Sequence, residues 1–284
     1  MYVTIAPRSP RLAPFVESLG YYESALPPGR DRVLPNGTMG LMINLEQDEF
    51  RTYHGPGAAV VRRSAGAVLG GPDPRAVVID TMEQRRGLSV SFAIGGAAPF
   101  FALPFGETAG RLVGLDELWG RDGAVLRERL LEAATPRRQL AVLEQVLLEH
   151  LPAGPGPGRY ADPAIGYAAA ELERGRLVRH VRDDLGLLAR TFTRRFEART
   201  GLTPKRFARI RRLQRVVSSV GRGSPAGSPP GSLSGPAPDW ARLAADHGYC
   251  DQAHLIDDFR DIAGITPGAY RPRSADEHNH LPVT

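Results

Sequence analysis

The chain is poor in cysteine and in lysine. Its 284 residues include one cysteine, Cys250, so neither an internal disulfide nor a cysteine-based zinc site can form. Lysine occurs once, at Lys205, and arginine supplies the rest of the 36 basic residues. No run of 18 apolar residues is present, and the first residues lack the charged and apolar segments of a signal peptide. We therefore expect a cytoplasmic protein with no membrane partner.

The excess of basic charge lies in the C-terminal part of the chain. From Arg174 to Arg215 there are 14 basic and 3 acidic residues, a net charge of +11. From Met1 to Arg159, 17 basic and 17 acidic residues cancel. This asymmetry favours a polyanionic partner for the C-terminal part. A solvated basic surface without a partner is the alternative.

Residues 1 to about 115 have the pattern of a β-rich domain. Short apolar runs separated by glycine and proline predict strands of a barrel or a sandwich. These runs lie at residues 41–45, 60–61, 67–69, 76–79 and 88–92. After Gly114, leucines recur at helical spacing, and Thr135 followed by proline is a helix N-cap pattern. This pair of helices packs on a core or forms a dimer contact, and the sequence leaves both open.

Two stretches rich in glycine, proline and serine interrupt the chain, at residues 152–161 and 220–238. We predict an α+β fold with a linker at the first stretch. A β-rich, barrel-like domain that ends in the helical pair is expected over residues 1–151. An all-α domain with two helix-turn-helix units is expected over residues 162–273, followed by a flexible tail over residues 274–284.

A short motif occurs twice in the predicted all-α domain, 63 residues apart. Phe196–Pro204 and Phe259–Pro267 share phenylalanine, glycine, threonine and proline at equivalent positions. Each copy follows a short helical pattern that begins after a glycine. Two similar helical units in tandem indicate two similar tasks, and the charge around the first copy indicates that the task concerns nucleic acid.

The second unit has the pattern of a helix-turn-helix. A helix over residues 240–247 is followed by a turn at Gly248, and Asp251 caps a second helix over residues 252–262. From Leu243 the chain reads Leu-Ala-x-x-x-Gly-Tyr-x-Asp-Gln-x-His-Leu-x-x-x-Phe-Arg, and Gly-x-Thr-Pro-x-x-Tyr-Arg follows. This string resembles the C-terminal signature of AraC/XylS-type transcription regulators. The resemblance implies sequence-specific binding of double-stranded DNA.

The first unit resembles the same family less closely. Family members usually carry a small residue where Arg182 stands, and an N-capping serine where Leu188 stands. Loss of a cap costs about 1 kcal/mol. The N-terminal part resembles, more weakly, the sensor domains of some of these regulators. That resemblance implies a small-molecule effector, and a homodimer is compatible with it.

Each unit has one predicted recognition helix, near residues 188–198 and 251–262. The outward residues predicted to contact bases are Arg190, Thr193 and Arg194 in the first helix and Gln252, Ala253, His254 and Asp257 in the second. Arginine can donate two hydrogen bonds to guanine and glutamine can pair with adenine. The helix between the units supplies the predicted phosphate contacts: Arg206, Arg209, Arg211 and Arg212. Internal salt bridges are the alternative for some of these arginines.

Two other function classes remain as alternatives. The first is an N-terminal cupin-like enzyme or ligand-binding protein that carries a DNA-binding appendage. A metal-dependent enzyme of this kind would need clustered histidines and carboxylates, and the predicted strands offer only His54. The DNA-repair members of the wider family need N-terminal cysteines, which this chain lacks. A module that binds other partners is the second alternative, because the first unit is irregular. We expect no catalytic residues, no metal and no cofactor.

Overall fold

The computed structural model describes residues 1–24, 27–54, 58–152, 162–222, 238–274 and 277–283. Within them the strands are β1 (Tyr2–Ile5), β2 (Val16–Glu23), β3 (Arg30–Val33), β4 (Gly40–Asn44), β5 (Glu49–His54), β6 (Val60–Ala65), β7 (Ala67–Gly70), β8 (Val77–Asp80), β9 (Arg86–Phe92), β10 (Leu112–Gly114) and β11 (His280–Val283). The helices are α1 (Leu115–Trp119), α2 (Arg121–Glu132), α3 (Pro136–His150), α4 (Pro163–Glu173), α5 (Val178–Asp184), α6 (Ala189–Thr200), α7 (Pro204–Arg222), α8 (Trp240–Asp246) and α9 (Gln252–Asp258). The predicted α+β fold is confirmed.

The strands form two antiparallel sheets. The first sheet has the order β1-β2-β9-β4-β7-β10 and the second has the order β11-β3-β8-β5-β6. The chain passes from the second sheet to the first between β6 and β7, at Gly66. A Cβ atom at Gly66 would lie 2.8 Å from the Cα of Asp48, so only glycine fits this bend. The five strands expected from the apolar runs are confirmed as β4, β6, β7, β8 and β9.

The last strand corrects the prediction of a flexible tail. Residues 277–283 end in β11, which pairs with β3 from His280 opposite Val33 to Val283 opposite Arg30. Arg273, just before this segment, forms a buried ion pair with Asp31 of β3. A strand of four residues has no periodicity that a sequence can reveal. Its partner strand β3 lies more than 240 residues away in the chain. β11 therefore forms because it pairs with β3 and not because of local strand propensity.

The helical pair α2 and α3 packs on the first sheet. Thr135 is the N-cap of α3, as predicted, and its hydroxyl accepts a hydrogen bond from the backbone N–H of Arg138. The leucines predicted to form the apolar stripes share one buried cluster with strand residues of the first sheet; they include Leu126, Leu130, Leu140, Leu143 and Leu147. Both helices therefore use their apolar faces inside the chain, which favours core packing over a dimer contact.

The helices α4 to α9 enclose a second core around α7. Its buried side chains come from every one of these helices and include Phe192, Phe196, Phe207, Leu255 and Phe259. Leu34 and Leu281, from the N-terminal sheet region, belong to the same cluster, so the two parts of the chain share an interface. Of the predicted connecting stretches, residues 153–161 and 223–237 lie outside the described residues. None of the helices described is long and apolar enough to cross a membrane.

Candidate nucleic-acid interface and ligand cavity

The second predicted recognition helix corresponds to α9, which continues into a π-helical turn at Phe259–Ala263. Asp251 is its N-cap, as predicted, and the carboxylate accepts a hydrogen bond from the backbone N–H of His254 at 2.8 Å. Leu255 and Phe259 are fully buried. Because they fix the inner face, the predicted residues Gln252, Ala253 and Asp257 lie on the exposed face.

His254 differs from the other predicted base-contacting residues of α9. Its ring is half-buried, and its Nε2 accepts a hydrogen bond from Nη2 of Arg212 at 3.1 Å. The ring also packs edge-on against Tyr249. Its partners within the chain favour a positioning role over a base contact.

The first predicted recognition helix corresponds to α6. Phe192 and Phe196 are buried, and they orient Arg190 and Arg194 to the exposed face and Thr193 to a half-buried position. Arg190 and Arg194 have no ion-pair or hydrogen-bond partner among the residues that the structure describes. Two unpaired guanidinium groups on one exposed helix face are suited to bind an anion or a base edge.

The start of α6 lacks the cap that α9 has. Leu188 is the N-cap residue, with extended backbone angles and no side-chain hydrogen bond. Its side chain is 78% exposed, so no burial compensates for the missing cap. Arg182, the other departure in this unit, is half-exposed and pairs with Asp183 at 2.6 Å. Its long side chain therefore occupies no space in the core.

We expect Leu188→Ser to raise the free energy of unfolding by up to about 1 kcal/mol, because a serine hydroxyl can accept a hydrogen bond from a free N–H of the first turn. Asp251→Ala should lower it by a similar amount. Urea unfolding of the full chain measures both. Leu188→Ala is the matched control, since it removes the leucine without adding an oxygen. Equal stability of the serine and alanine variants would contradict the expectation.

The four arginines predicted to contact phosphates form ion pairs within the chain, and their phosphate contacts stay a prediction. Arg206 pairs with Asp261 at 2.5 Å, and Arg209 pairs with both Asp258 and Asp261 at 2.8 Å. Arg212 pairs with Asp258 at 2.9 Å. Arg211, on the opposite side, pairs with Glu173 of α4. These ion pairs favour the salt-bridge alternative, because a phosphate contact would have to compete with a carboxylate already in place.

The ion pairs of Asp258 and Asp261 attach the second unit to α7. The side chain of Asp258 is only 2% exposed, so its two arginine partners satisfy a buried charge. Arg212 also lies over the ring of Tyr249, with its Cζ 4.0 Å from the centroid. At Asp261, burial alone would raise the carboxyl pKa, but hydrogen bonds from Arg206 and Arg75 lower it below its usual range. Asp258 and Asp261 themselves gave no functional signal in the sequence.

A cavity of about 960 Å³ lies between the two sheets. This volume is within the range of small-molecule sites. Its apolar lining includes Val33, Met42, Phe50, Val77, Ile79 and Leu112. Its polar lining includes Thr52, Arg62, Asp73, Ser89, Arg273 and His280. The mixture of apolar and polar groups suits an amphipathic ligand.

His54, the candidate for a metal site, also lines the cavity. Its Nε2 lies 2.8 Å from the hydroxyl of Thr52. Burial and the charge of Arg62 lower its pKa. Among the described residues no three histidine, cysteine or carboxylate side chains lie close enough together to hold a metal ion.

Asp73 is the most strongly perturbed carboxyl group of the cavity. Burial raises its pKa to about 6, although Arg62 opposes the shift. The Asp73 carboxyl group therefore binds its proton more tightly in the folded protein than in the unfolded chain, where aspartates have a pKa of about 3.9. Stability is then lost as the pH rises from about 4 to about 6, because the buried group becomes charged.

We expect Asp73→Asn to stabilise the protein by about 1–2 kcal/mol at pH 7 and to have almost no effect near about pH 3, where the wild-type carboxyl group is largely neutral in both states. Urea unfolding at the two pH values measures the difference. Asp257→Asn, at an exposed carboxylate, is the control and should change neither value. If Asp73→Asn raises the free energy of unfolding equally at both pH values, the ionisation of Asp73 is not the cause of the gain.

Residues 4–114 match the model of a family described as a domain of unknown function, DUF6597. No curated protein matches the chain. Solved structures of ToxT from Vibrio cholerae are similar. The P21 form at 1.65 Å resolution is 10% identical, with 89% of this chain and 97% of that chain covered and a TM-score of 0.44. ToxT from strain O395 is 10% identical, with 89% and 95% covered and a TM-score of 0.42. Identities and TM-scores this low support no inference about function.

Proposed function

We propose that the chain is a sequence-specific, DNA-binding transcription regulator of the AraC/XylS type, with α6 and α9 as its recognition helices. The proposal rests mainly on one observation. Five of the predicted base-contacting residues lie on exposed faces of these helices, namely Arg190, Arg194, Gln252, Ala253 and Asp257, whereas the four arginines of α7 predicted to contact phosphates form ion pairs with carboxylates of the chain. The exposed polar side chains of α6 and α9 are therefore better placed to contact a partner than these four arginines.

The arrangement of the units supports the same function. Each unit consists of a short helix, a turn with a left-handed glycine, and a second helix: α5, Gly186 and α6, then α8, Gly248 and α9. Helix-turn-helix units place the second helix in the major groove. Two such units on one central helix can enter successive major-groove segments on one side of a duplex, about one helical turn apart.

Arg190 and Arg194 are proposed to contact bases or phosphates from α6, and Gln252 and Ala253 to contact base edges from α9. Arginine suits guanine, glutamine suits adenine, and the alanine methyl group suits the methyl group of thymine. Thr193 and Asp257 border these positions on the two helices. We also propose that a linker at residues 152–161 divides the chain into two domains and that two copies of the chain form a homodimer.

The cavity between the sheets is proposed to bind a small-molecule effector. Its volume and its mixed lining support this role. They also support a second candidate function, in which the N-terminal domain binds or converts a ligand and the helical units serve only as an interaction module. DNA binding by the full chain separates the two candidates.

We expect selection from random duplexes to yield one preferred DNA sequence for the wild-type chain. Gln252→Ala should change the preference at one or two base pairs, because the amide that reads a base edge is lost. Gln145→Ala, at an exposed glutamine of α3, is the control and should leave the preferred sequence intact. No preferred sequence for the wild type would overturn the proposed function. An unchanged preference for Gln252→Ala would overturn the orientation of α9.

A further inference from the structure

The two copies of the repeated motif both end against the N-terminal sheets. Each copy has a glycine with a left-handed backbone, Gly201 after α6 and Gly264 after the π-helical turn that extends α9. A Cβ atom at Gly201 would lie 2.8 Å from Cδ of Pro72, and one at Gly264 would lie 2.5 Å from Nη1 of Arg32. The equivalent glycine of each repeat is therefore a point of close approach to the sheets.

The loop that carries Pro72 joins β7 to β8, and it also reaches the second repeat. Nη2 of Arg75 pairs with Oδ1 of Asp261 at 2.9 Å, and Nε of the same arginine donates to the carbonyl of Asp261 at 3.1 Å. The N–H of Ala76 donates to the carbonyl of Ile262 at 2.7 Å. One short loop thus connects the ends of the two proposed recognition helices.

The second sheet and α7 contribute to the same contact region. Nη1 of Arg32 on β3 donates to the carbonyl of Ala263 at 3.0 Å. Arg206, in the first turn of α7, pairs with Asp261 at 2.5 Å and also donates to the carbonyl of Pro74 in the loop. Asp261 therefore holds the loop, the helix between the units and the end of the second repeat together.

We call the loop of residues 71–76 together with Arg32 the brace. The brace contacts the two repeats where they end, whereas a recognition helix contacts base edges with its N-terminal residues. Arg190 and Gln252 lie near the N-terminal starts of α6 and α9. The brace is thus at the end of each helix that is remote from the residues proposed to contact bases, and it leaves those residues uncovered.

We propose that the brace fixes the distance and the angle between α6 and α9, so that the chain binds only one spacing of its two DNA contact sites. The proposal rests on the proposed function for its DNA partner. α7 joins the units through their shared core, and the brace adds a second connection at the helix ends. One extra base pair moves the second contact site by about 3.4 Å and turns it by about 35° around the duplex axis. A braced chain cannot follow this change with both helices. Arg32 and Arg75 act as positioning residues, because they contact the second unit and not the DNA.

A spacing assay with the full chain tests the proposal. The two contact sites are the base pairs at which Arg190→Ala and Gln252→Ala change the preferred sequence. Fluorescence anisotropy compares the selected duplex with a duplex that carries one extra base pair between these sites. The extra base pair should weaken binding by the wild type about tenfold or more, because one of the two helices loses its base contacts.

The double variant Arg32→Met and Arg75→Ala should reduce this penalty below about threefold, because the released second unit can again reach its bases. The double variant Arg85→Ala and Arg137→Ala is the matched control. It also removes two arginines from the N-terminal part, both of them exposed, and should keep the full penalty.

The distance between the two helices can also be measured without DNA. Cys250, the one cysteine of the chain, is exposed and precedes the N-cap of α9, and Ala189→Cys adds a second label site at the start of α6. Pulsed electron–electron double resonance between spin labels at these sites should give one narrow distance distribution. Arg32→Met with Arg75→Ala should broaden it, and the control double variant should not.

A spacing penalty that is equal in the brace variant and in its control would overturn the proposal, and so would an equally narrow distance distribution in both. A merely structural role of the two arginines would weaken binding to both duplexes alike and leave the penalty unchanged, which also counts against the brace. If the wild type prefers no DNA sequence while the distance distribution broadens in the brace variant, the proposed function fails and the brace stands.

Discussion

Replacing Asp258 with alanine should lower the free energy of unfolding by about 3 kcal/mol, the low end of the cost of breaking a buried ion pair. The carboxylate is almost fully buried and lies 2.8 Å from Nη2 of Arg209 and 2.9 Å from Nη2 of Arg212. Its removal leaves two guanidinium groups without their shared partner. Both arginines retain some contact with solvent, so the expected loss of stability is at the low end of the range for breaking a buried ion pair.

Urea unfolding followed by the fluorescence of Trp240 measures this loss, because Trp240 packs edge-on against Phe259 in the second unit. Asp257→Ala is the matched control, since it removes the neighbouring, exposed carboxylate. It should change stability by less than about 0.5 kcal/mol. Equal stability of the two variants would show that the arginines of α7 are not held by Asp258, and their predicted phosphate contacts would regain support.

The double substitution Arg190→Ala and Arg194→Ala should have the largest effect on DNA binding. A well-placed arginine contact contributes about 1–3 kcal/mol, so the selected duplex should bind at least about tenfold more weakly. Stability should be unchanged, because both side chains are exposed and unpaired among the described residues. Fluorescence anisotropy with labelled duplex measures the affinity.

Arg137→Ala, at an exposed arginine of α3, is the control for the loss of charge. It lies in the N-terminal part and should leave the affinity for DNA close to that of the wild type. If the double variant on α6 binds as tightly as Arg137→Ala, the first unit does not contact DNA. The second unit alone would then account for recognition.

The elements whose signals are local could be predicted from the sequence. The caps at Thr135 and Asp251 form the expected hydrogen bonds with the N–H three residues later. The faces of α6 and α9 follow from their buried phenylalanine and leucine residues. A cap depends on one side chain and the next turn, and a helix face depends on a period of 3.6 residues. Both signals, the cap and the helix face, lie within a short stretch of the chain.

The features that depend on distant partners could not be predicted. β11 needs β3, and the arginines of α7 need Asp258 and Asp261, about 50 residues later. A basic helix has the same sequence pattern whether its charges face solvent, phosphate or carboxylates. The net charge of residues 174–215 therefore overstated the charge available to DNA, because much of it is neutralised by acidic residues from outside that stretch.

The most direct test of the central claim is the affinity of the wild-type chain for its selected duplex and for a scrambled duplex over a range of salt concentrations. Specific DNA binding predicts a clear preference for the selected duplex and an association constant that falls steeply as salt rises, because phosphate contacts release counterions. Equal affinity for both duplexes, binding that does not depend on salt, or no binding at low salt would contradict the account.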